Sequence, residues 1–358
     1  MAKCGQRTRR FAIDPLSTRT LGRTGVALTR MGFGAAPLGD LFTTLSDTEA
    51  QAAIDAAWDG GMRYFDTAPW YGRGQSEHRT GRGLYRRPRP EFVLSTKVGR
   101  VLRAARDEAA FDRGMWAGSL PFPHSFDYSY DGVMRAFEDS QQRLGMPRID
   151  LLLIHDLDLQ HHATPARVTA LLTELATGGW RALNELKEAG MIRGIGAGIN
   201  ERGMMRRFLD LVDLDFFLVA MPYTLLDQAV LDDEFPACVA RGVGLVIGAV
   251  FASGILATGA VPGARYAYAK ATPEMLARVA RMQAACARHG VSLAAAALQF
   301  PFGHPAVASV IPGALSAEQV TRNLAAFRET IPDQLWAELK QAGLLRDDAP
   351  TPDQTLLA

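Results

Sequence analysis

Cysteine is scarce in this chain of 358 residues, which contains only Cys4, Cys238 and Cys286, far apart in sequence. Their spacing fits neither a disulfide framework nor a zinc site, so we expect a reducing, cytoplasmic setting. Net charge is also small, because 39 basic side chains are balanced by 38 acidic ones. A chain so close to neutrality is not expected to bind nucleic acid as its main partner.

Long apolar runs are missing as well. No uncharged apolar segment is long enough to span a bilayer, so no membrane partner is expected. The basic residues near the start are not followed by the apolar stretch of a signal peptide. We interpret residues 1–18 as a flexible basic tail and residues 347–358 as a tail without pattern. Residues 19–346 contain no repeat or linker and are predicted to form one domain.

The chain does have a regular alternation of short apolar strands with amphipathic helices. Its 48% hydrophobic and 22% charged side chains suit a folded protein with a large core. The predicted helices include one that is capped by Ser46 or Asp47 and ends near Asp59, a long one from Pro165 to Ala189 with a break at Gly178 and Gly179, and a short one from Leu293 to Gln299. Residues 98–130 lack such a pattern and are predicted to form a long irregular insertion. Eight strands are predicted at residues 28–34, 62–65, 92–96, 149–154, 192–197, 215–220, 244–248 and 307–311. This order predicts an α/β fold, a closed parallel (β/α)8 TIM barrel with an N-terminal hairpin and an extra C-terminal helix.

Four titratable side chains fall at or just after consecutive predicted strand ends. Asp66 ends the second strand, and Tyr71 follows it within a turn that contains proline and glycine. Lys97 ends the third strand and His155 the fourth. Each alone is weak evidence of function, but the carboxyl ends of barrel strands meet at one mouth. We therefore predict that these four side chains form one catalytic site.

These residue types suit proton transfer to or from an alcohol or carbonyl oxygen. A free phenol titrates near pH ~10, so Tyr71 needs help to act near neutrality. A nearby ammonium such as Lys97, held by the carboxylate of Asp66, would favour the phenolate, and His155 would donate to the substrate oxygen. A positioned acid or base contributes about 10² to 10⁴ in rate. Because no nucleophile or metal site is predicted, the redox partner must be a cofactor.

The segments FDTAPWYG, LSTKVGR, IDLLLIHDLD and SVIPGALSAEQVTRNL, in this order, resemble the aldo-keto reductase family over roughly Leu21 to Leu345. The resemblance implies an Asp, Tyr, Lys and His tetrad, which places the catalytic roles on Asp66, Tyr71, Lys97 and His155. It also implies a nicotinamide cofactor that lies extended over the barrel mouth, without a Rossmann glycine fingerprint, and a small-molecule substrate.

The resemblance implies cofactor contacts at the later strand ends. Asn200 would hold the carboxamide, and Asn323 would contact the adenine. Gly313 and Gln319 stand where members that prefer NADP usually have a lysine and an arginine, so the cofactor is predicted to be NAD rather than NADP, although Arg322 could still reach a phosphate. The chain departs from the family where a glutamine and a stacking aromatic are usual, because it has Ala220 and Gly248 there.

Within the family, GIGAGIN, MPYTLLDQ and AVFASGILATG resemble members that oxidise a cyclic hemiacetal to a lactone with NAD. The predicted substrate is an aldose such as L-fucose or a D-threo-aldose, oxidised at C1. Pyridoxal, oxidised to 4-pyridoxolactone, is the alternative. The predicted substrate contacts are Trp70, Trp116, His124 and Asp156, because a sugar needs polar partners and pyridoxal an aromatic slot.

Two other readings stay open. Some relatives with this fold act as channel subunits, so the chain could be a non-catalytic, cofactor-binding regulator. The chain could also be a metal-dependent barrel enzyme, which needs clustered metal ligands. Asp66 and His155 are the only side chains of ligand type at the predicted strand ends, so no metal site is predicted. His161 and His162 are interpreted as solvated residues at a helix entry. The oligomeric state is expected to be a monomer or a small homo-oligomer.

Overall fold

The structure is a computed structural model that describes residues 10–11 and 13–353. Its main feature is an eight-stranded parallel sheet. We number these strands in chain order as β1 (Phe33–Gly34), β2 (Tyr64–Asp66), β3 (Val93–Val98), β4 (Leu151–Ile154), β5 (Gly194–Ile199), β6 (Phe216–Val219), β7 (Gly244–Ile247) and β8 (Val307–Val310). Each strand pairs with the next one in sequence, which is the order expected of a barrel.

The sheet closes on itself between β8 and β1. Parallel bridges join Met31 to Val310 and Gly34 to Gly313, and the amide of Gly32 donates to the Val310 carbonyl at 2.9 Å. The registers Phe65↔Leu94 and Lys97↔Leu153 align the ends of β2, β3 and β4 at one rim. The predicted (β/α)8 TIM barrel is confirmed.

The helices pack around the outside of the sheet. They are α1 (Asp47–Asp59), α2 (Gln75–Leu84), α3 (Tyr130–Leu144), α4 (Leu159–His162), α5 (Pro165–Glu174), α6 (Trp180–Glu188), α7 (Met204–Leu211), α8 (Glu234–Ala240), α9 (Ile255–Thr258), α10 (Pro273–Arg288), α11 (Leu293–Gln299), α12 (Ala317–Phe327) and α13 (Asp333–Gln341). Ser46 caps α1 with a complete capping box, as its sequence predicts. No described helix has the length and apolar character needed to cross a membrane.

The barrel interior is filled by alternate strand residues. Leu151 and Leu153 of β4 belong to the inner cluster, whereas Leu152 and Ile154 pack with the helices outside. An antiparallel hairpin, Thr18–Thr20 paired with Ala27–Thr29, adds further residues to that inner cluster. Because this hairpin lies against the starts of the strands, it leaves the opposite rim, where the strands end, open for a site.

Three local expectations need correction. The predicted first strand is two pieces, since Ala27–Thr29 pairs in the hairpin and the barrel strand proper is Phe33–Gly34, preceded by the isolated bridge of Met31 to Val310. The long helix expected to break near Gly178 continues through a π-helical turn, Leu175–Gly179. The irregular insertion after β3 contains an antiparallel ribbon, Arg100–Leu102 with His124–Phe126.

The terminal segments pack on the barrel as far as the structure describes them. Arg10–Phe11, within the segment interpreted as an N-terminal tail, pairs with Ile331–Pro332. Ala349, within the segment interpreted as a C-terminal tail, is buried. Residues 1–9, 12 and 354–358 of the two proposed tails lie outside the described residues.

Candidate active site

A buried ion pair lies at the ends of β2 and β3. The Lys97 ammonium lies 2.7 Å from Asp66 Oδ2 and donates to the Thr67 carbonyl at 2.8 Å. Ser95 donates to the other oxygen of Asp66 at 2.6 Å. The side chains of Lys97 and Asp66 are 1% and 2% exposed, so each buried charge is stabilised by its oppositely charged partner. The pair therefore fixes one ammonium beneath the barrel mouth.

Tyr71 lies directly over this ammonium. Lys97 Nζ is 4.7 Å from the centre of the Tyr71 ring. Burial, with the nearby charge of Asp66 second, raises the pKa of Tyr71 well above that of a free phenol. Burial thus outweighs any help from the ammonium in this structure, and the expectation that Lys97 favours the phenolate stays a prediction. Tyr71 is protonated at neutral pH in this state.

His155 completes the group at the end of β4. Its ring lies 5.9 Å from the Tyr71 ring at an interplanar angle of 87°. The Tyr128 hydroxyl donates to the His155 carbonyl at 2.7 Å and so fixes the backbone at this strand end. Burial lowers the pKa of His155 well below its ordinary value, so the imidazole is neutral. A neutral imidazole can donate one hydrogen bond to a substrate oxygen.

Asp156 follows His155 and is held in the left-handed backbone region, with φ +54°. Its Oδ2 accepts from Arg100 at 2.6 Å, and its Oδ1 accepts from the Asn200 amide at 3.0 Å. Burial raises the pKa of Asp156, but His155, Arg100 and His161 outweigh it and hold that pKa below the ordinary value. A permanently ionised carboxylate therefore faces the mouth, ready to accept from a substrate hydroxyl.

The insertion after β3 brings aromatic rings over the same mouth. A backbone bridge between Leu41 and Trp116 places the Trp116 ring 5.8 Å from that of Tyr71. Trp70 meets Trp116 edge to face at 5.7 Å and His124 at 4.8 Å. Burial, followed by the charge of Arg100, lowers the pKa of His124 to about 3, so His124 is neutral.

Two cavities open at this rim and share a boundary. The smaller, of about 160 Å³, is lined by Trp70, Trp116, His155, Asp156 and Asn200 among others. The larger, of about 340 Å³, extends over β8 and is lined by Gly34, Gly248, Gly313 and Gln319 among others. Tyr71 lines both cavities. Two molecules bound in the two cavities would therefore meet next to the Tyr71 phenol.

The larger cavity fits an extended, flat ligand. Gly34, Gly248 and Gly313 line it without projecting side chains, and a Cβ at Gly313 would lie 2.7 Å from Pro37 Cγ. Asn200 lines the adjoining smaller cavity and donates its amide to Asp156 at 3.0 Å and Asp158 at 3.2 Å. Its carbonyl oxygen remains as the acceptor for a carboxamide placed where the two cavities meet. The residues present thus fit a nicotinamide dinucleotide.

The predicted cofactor residues divide into two groups. Gly313 and Gln319 line the larger cavity, and Asn200 lines the smaller one. Gln319 also accepts from the Leu315 amide at 2.8 Å. Arg322 points away on α12, where it lies 3.6 Å from Glu318 with 65% of its side chain exposed. Neither Arg322 nor Asn323 is among the residues that line either cavity.

The structure adds residues that the sequence did not single out. Arg265 and Tyr268 line the larger cavity, and Gln160 and His161 line the smaller. Arg265 and Tyr268 lie in a Gly-rich stretch whose path no periodic pattern reveals. The interpretation of His161 and His162 as solvated is wrong, because His161 is paired with Asp158 and His162 is buried.

Among the described residues, one group of metal-ligand type comes together, formed by Asp156, Asp158 and His161. Asp66 and His155 are the possible ligands that the sequence places at the strand ends, so this clustering is not predicted from the sequence. Arg100 and Asn200 already donate to the same carboxylates. Because these donors already engage the carboxylate oxygens, we interpret the group as a hydrogen-bond network.

The chain is similar to known enzymes over most of its length. The chain matches the sequence profile of the aldo/keto reductase family over residues 30–343. It is 45% identical to pyridoxal 4-dehydrogenase of Microbacterium luteolum over 91% of this chain and 97% of that protein. It is 39% identical to D-threo-aldose 1-dehydrogenase of a Pseudomonas species over 92% of this chain and 97% of that protein.

Among solved structures, the holo form of the aldo-keto reductase AKR11C1 from Bacillus halodurans superposes with a TM-score of 0.68. It is 25% identical, and the match covers 95% of this chain and 99% of that one. The family profile and both relatives extend over nearly the whole barrel, including all four strand-end residues. This chain belongs to the aldo/keto reductase family and is an oxidoreductase.

Proposed function

We propose that this protein is an NAD-dependent dehydrogenase that oxidises a cyclic hemiacetal to a lactone. The observation that carries the proposal is the position of Tyr71, which lies over the Lys97 ammonium, beside the His155 ring, and at the boundary of the two cavities. A substrate in the smaller cavity and a nicotinamide in the larger one would meet at this phenol.

Proton movement is the task of the protein side chains. His155 donates to the hemiacetal oxygen and orients it, while Tyr71 takes the hydroxyl proton as the carbon–oxygen double bond of the lactone forms. The bound oxidised nicotinamide would accept the hydride from the same carbon, and its positive charge would favour the phenolate. Lys97, held by Asp66, stabilises the negative charge that develops on Tyr71.

The preference for NAD rests on two positions of the larger cavity. Gly313 and Gln319 offer no positive charge to a 2′-phosphate, and two missing charge-assisted contacts correspond to about 10² to 10⁴ in affinity. Arg265 is the cation among the described residues lining this cavity, and it suits the diphosphate that both cofactors share. We expect Gln319→Arg to tighten NADP binding while leaving the affinity for NAD nearly unchanged.

An aldose is the first candidate substrate. The smaller cavity presents the carboxylate of Asp156 and the polar side chains of Gln160 and His161, which can pair with sugar hydroxyls. Pyridoxal is the second candidate, because Trp70 and Trp116 form aromatic walls and the relative at 45% identity is named for that substrate. Both substrates can present a cyclic hemiacetal to Tyr71.

Initial rates would decide the function. The purified chain is assayed with NAD and with NADP against L-fucose, D-arabinose, L-galactose and pyridoxal, and the product is identified as a lactone by mass. We expect turnover with NAD and at least a hundredfold lower kcat/KM with NADP. Cofactor binding without turnover of any hemiacetal would instead favour a regulatory barrel.

A further inference from the structure

A short hairpin lies at the edge of both cavities. Arg265–Tyr266 pairs with Ala269–Lys270, and a two-residue turn, Ala267–Tyr268, joins them. Tyr268 lines the larger and the smaller cavity, as Tyr71 does. Across the larger cavity, the Arg265 guanidinium lies 4.4 Å from the centre of the Phe42 ring. The hairpin is thus held over the place where the two cavities meet.

The turn is unusual in its residue types. Ala267 has φ +49° and Tyr268 φ +64°, which is the backbone of a type I′ turn. Such turns favour asparagine and glycine, and a bulky residue there is a genuine outlier. The Tyr268 amide donates to Ser253 Oγ at 3.0 Å, and Ser253 itself has φ +64°. Backbone strain of this kind gathers at functional sites, which makes Tyr268 a candidate for a functional role.

The strand ends beneath the hairpin lack side chains that could cover a flat ring. Gly248 follows β7 and lines the larger cavity, while Ala220 follows β6 and lines both. Phe42 and Phe251 also line the larger cavity, but neither lines the smaller one, so Tyr71 and Tyr268 are the tyrosines that reach both cavities among the described residues. Tyr268 brings an aromatic ring to the same boundary from a different element.

We propose that the ring of Tyr268 packs against the nicotinamide and supplies, from the hairpin turn, the aromatic surface that Gly248 does not provide. This inference rests on the proposed function, since it requires a dinucleotide in the larger cavity. Tyr268 is then a positioning residue for the cofactor, and the strained turn is kept because that ring must stand there.

The test measures NADH binding and thermal stability, which need no turnover. Tyr268→Gly removes the ring and relaxes the left-handed turn. Tyr268→Leu removes the ring but keeps the turn strained, and Tyr268→Phe keeps the aromatic ring and the strained turn. Lys270→Ala, an exposed position in the same hairpin, is the matched control. Dissociation constants are read from NADH fluorescence, and Tm from thermal unfolding.

We expect Tyr268→Gly and Tyr268→Leu to raise the Kd for NADH about 3- to 10-fold, the range of an aromatic contact. Tyr268→Phe and Lys270→Ala should stay within about twofold of the parent. Tyr268→Gly should bind less tightly yet unfold at the same or a higher Tm. An unchanged Kd in the Gly and Leu variants, or an equal loss in the Phe variant, would overturn the inference. Wild-type protein that binds NADH but turns over no substrate would count against the proposed function alone.

Discussion

At the scale of single residues, the chemistry depends on a phenol whose proton is held tightly. Burial and the charge of Asp66 both raise the pKa of Tyr71, and the ammonium of Lys97 is shared with that carboxylate. In the resting protein the phenol of Tyr71 is therefore protonated and can act as a proton donor. Oxidation of a hemiacetal requires the deprotonated phenolate of Tyr71 as the base. The rate of oxidation must therefore depend on how easily Tyr71 loses its proton.

This predicts a pH dependence with a definite sign. Because the pKa of Tyr71 lies above its ordinary value, the phenolate fraction at neutral pH is small and rises ~10-fold per pH unit. We expect kcat for hemiacetal oxidation to increase from pH 7 towards pH 10, measured by NADH absorbance in buffers of constant ionic strength. A rate that falls with pH over this range would contradict the assignment of Tyr71 as the base.

The pair of Lys97 and Asp66 makes a second prediction. Lys97→Met leaves the buried carboxylate without its partner, which should cost about 3 to 5 kcal/mol of unfolding free energy, besides most of the turnover. The double variant Lys97→Met with Asp66→Leu removes both charges and should recover much of that stability. Urea unfolding of the two single variants and the double variant measures the coupling. Additive losses would show that the pair is not coupled.

The four strand-end residues could be predicted from the sequence because each follows a local pattern of strand and turn. Asp66 and Tyr71 are separated by one short turn, and barrel topology brings the ends of β3 and β4 beside them. Tyr268 could not be predicted in this way. It is distant from Tyr71 in sequence and reaches it only because the hairpin pairing and the Arg265 contact fold that loop back over the mouth.

At the scale of elements, the π-helical turn between α5 and α6 supports the active site through its contact with Tyr128. The glycine pair suggested a break, but a π-helical turn keeps the helix continuous instead. Gly179 packs against the backbone of Tyr128, where an added Cβ would lie 2.2 Å from the Tyr128 carbonyl oxygen. Tyr128 in turn donates to the carbonyl of His155. This close approach links the helix to the catalytic strand end.

Gly179→Ala should therefore destabilise the protein by about 1 to 3 kcal/mol, because the added methyl group must displace the Tyr128 backbone. Gly178→Ala is the matched control, since its Cβ would lie 3.0 Å from the Tyr130 nitrogen and alanine is the better helix former. Chemical denaturation measures both variants. Equal stability of the two would show that the contact with Tyr128 tolerates a methyl group.

Elements with a clear period were predictable, and those built by tertiary pairing were not. The helix Leu293–Gln299 and the capped start of α1 have the predicted bounds, because caps and apolar spacing are local signals. The ribbon formed by Arg100–Leu102 and His124–Phe126 joins segments separated by an irregular loop. The two paired segments are too far apart in sequence for a local pattern to predict their pairing.

At the scale of the whole molecule, the barrel carries titratable groups away from the active site that set its tolerance of acid. Burial, followed by the charge of Arg19, lowers the pKa of His304 to about 4. His304 is packed against the rings of Tyr223 and Phe235. The folded protein therefore binds this proton less readily than the unfolded chain does.

The unfolding free energy should fall as the pH drops from about 6.5 to about 4, by up to ~1.4 kcal/mol per pH unit from His304 alone. Above about pH 6.5 both states leave His304 neutral, and its contribution is constant. Urea unfolding at pH 6.5, 5.5 and 4.5 measures the slope for the parent and for His304→Gln. Parallel slopes would rule out His304 as a source of the acid sensitivity.

The whole barrel serves to hold one phenol between two cavities, and replacing that phenol tests the account most directly. Tyr71→Phe keeps the ring beside Lys97 and His155 but removes the exchangeable proton. We predict that kcat with NAD and the best hemiacetal falls by about 10² to 10⁴, while the Kd for NADH stays within about twofold. A Tyr71→Phe protein that keeps most of its kcat would contradict the account.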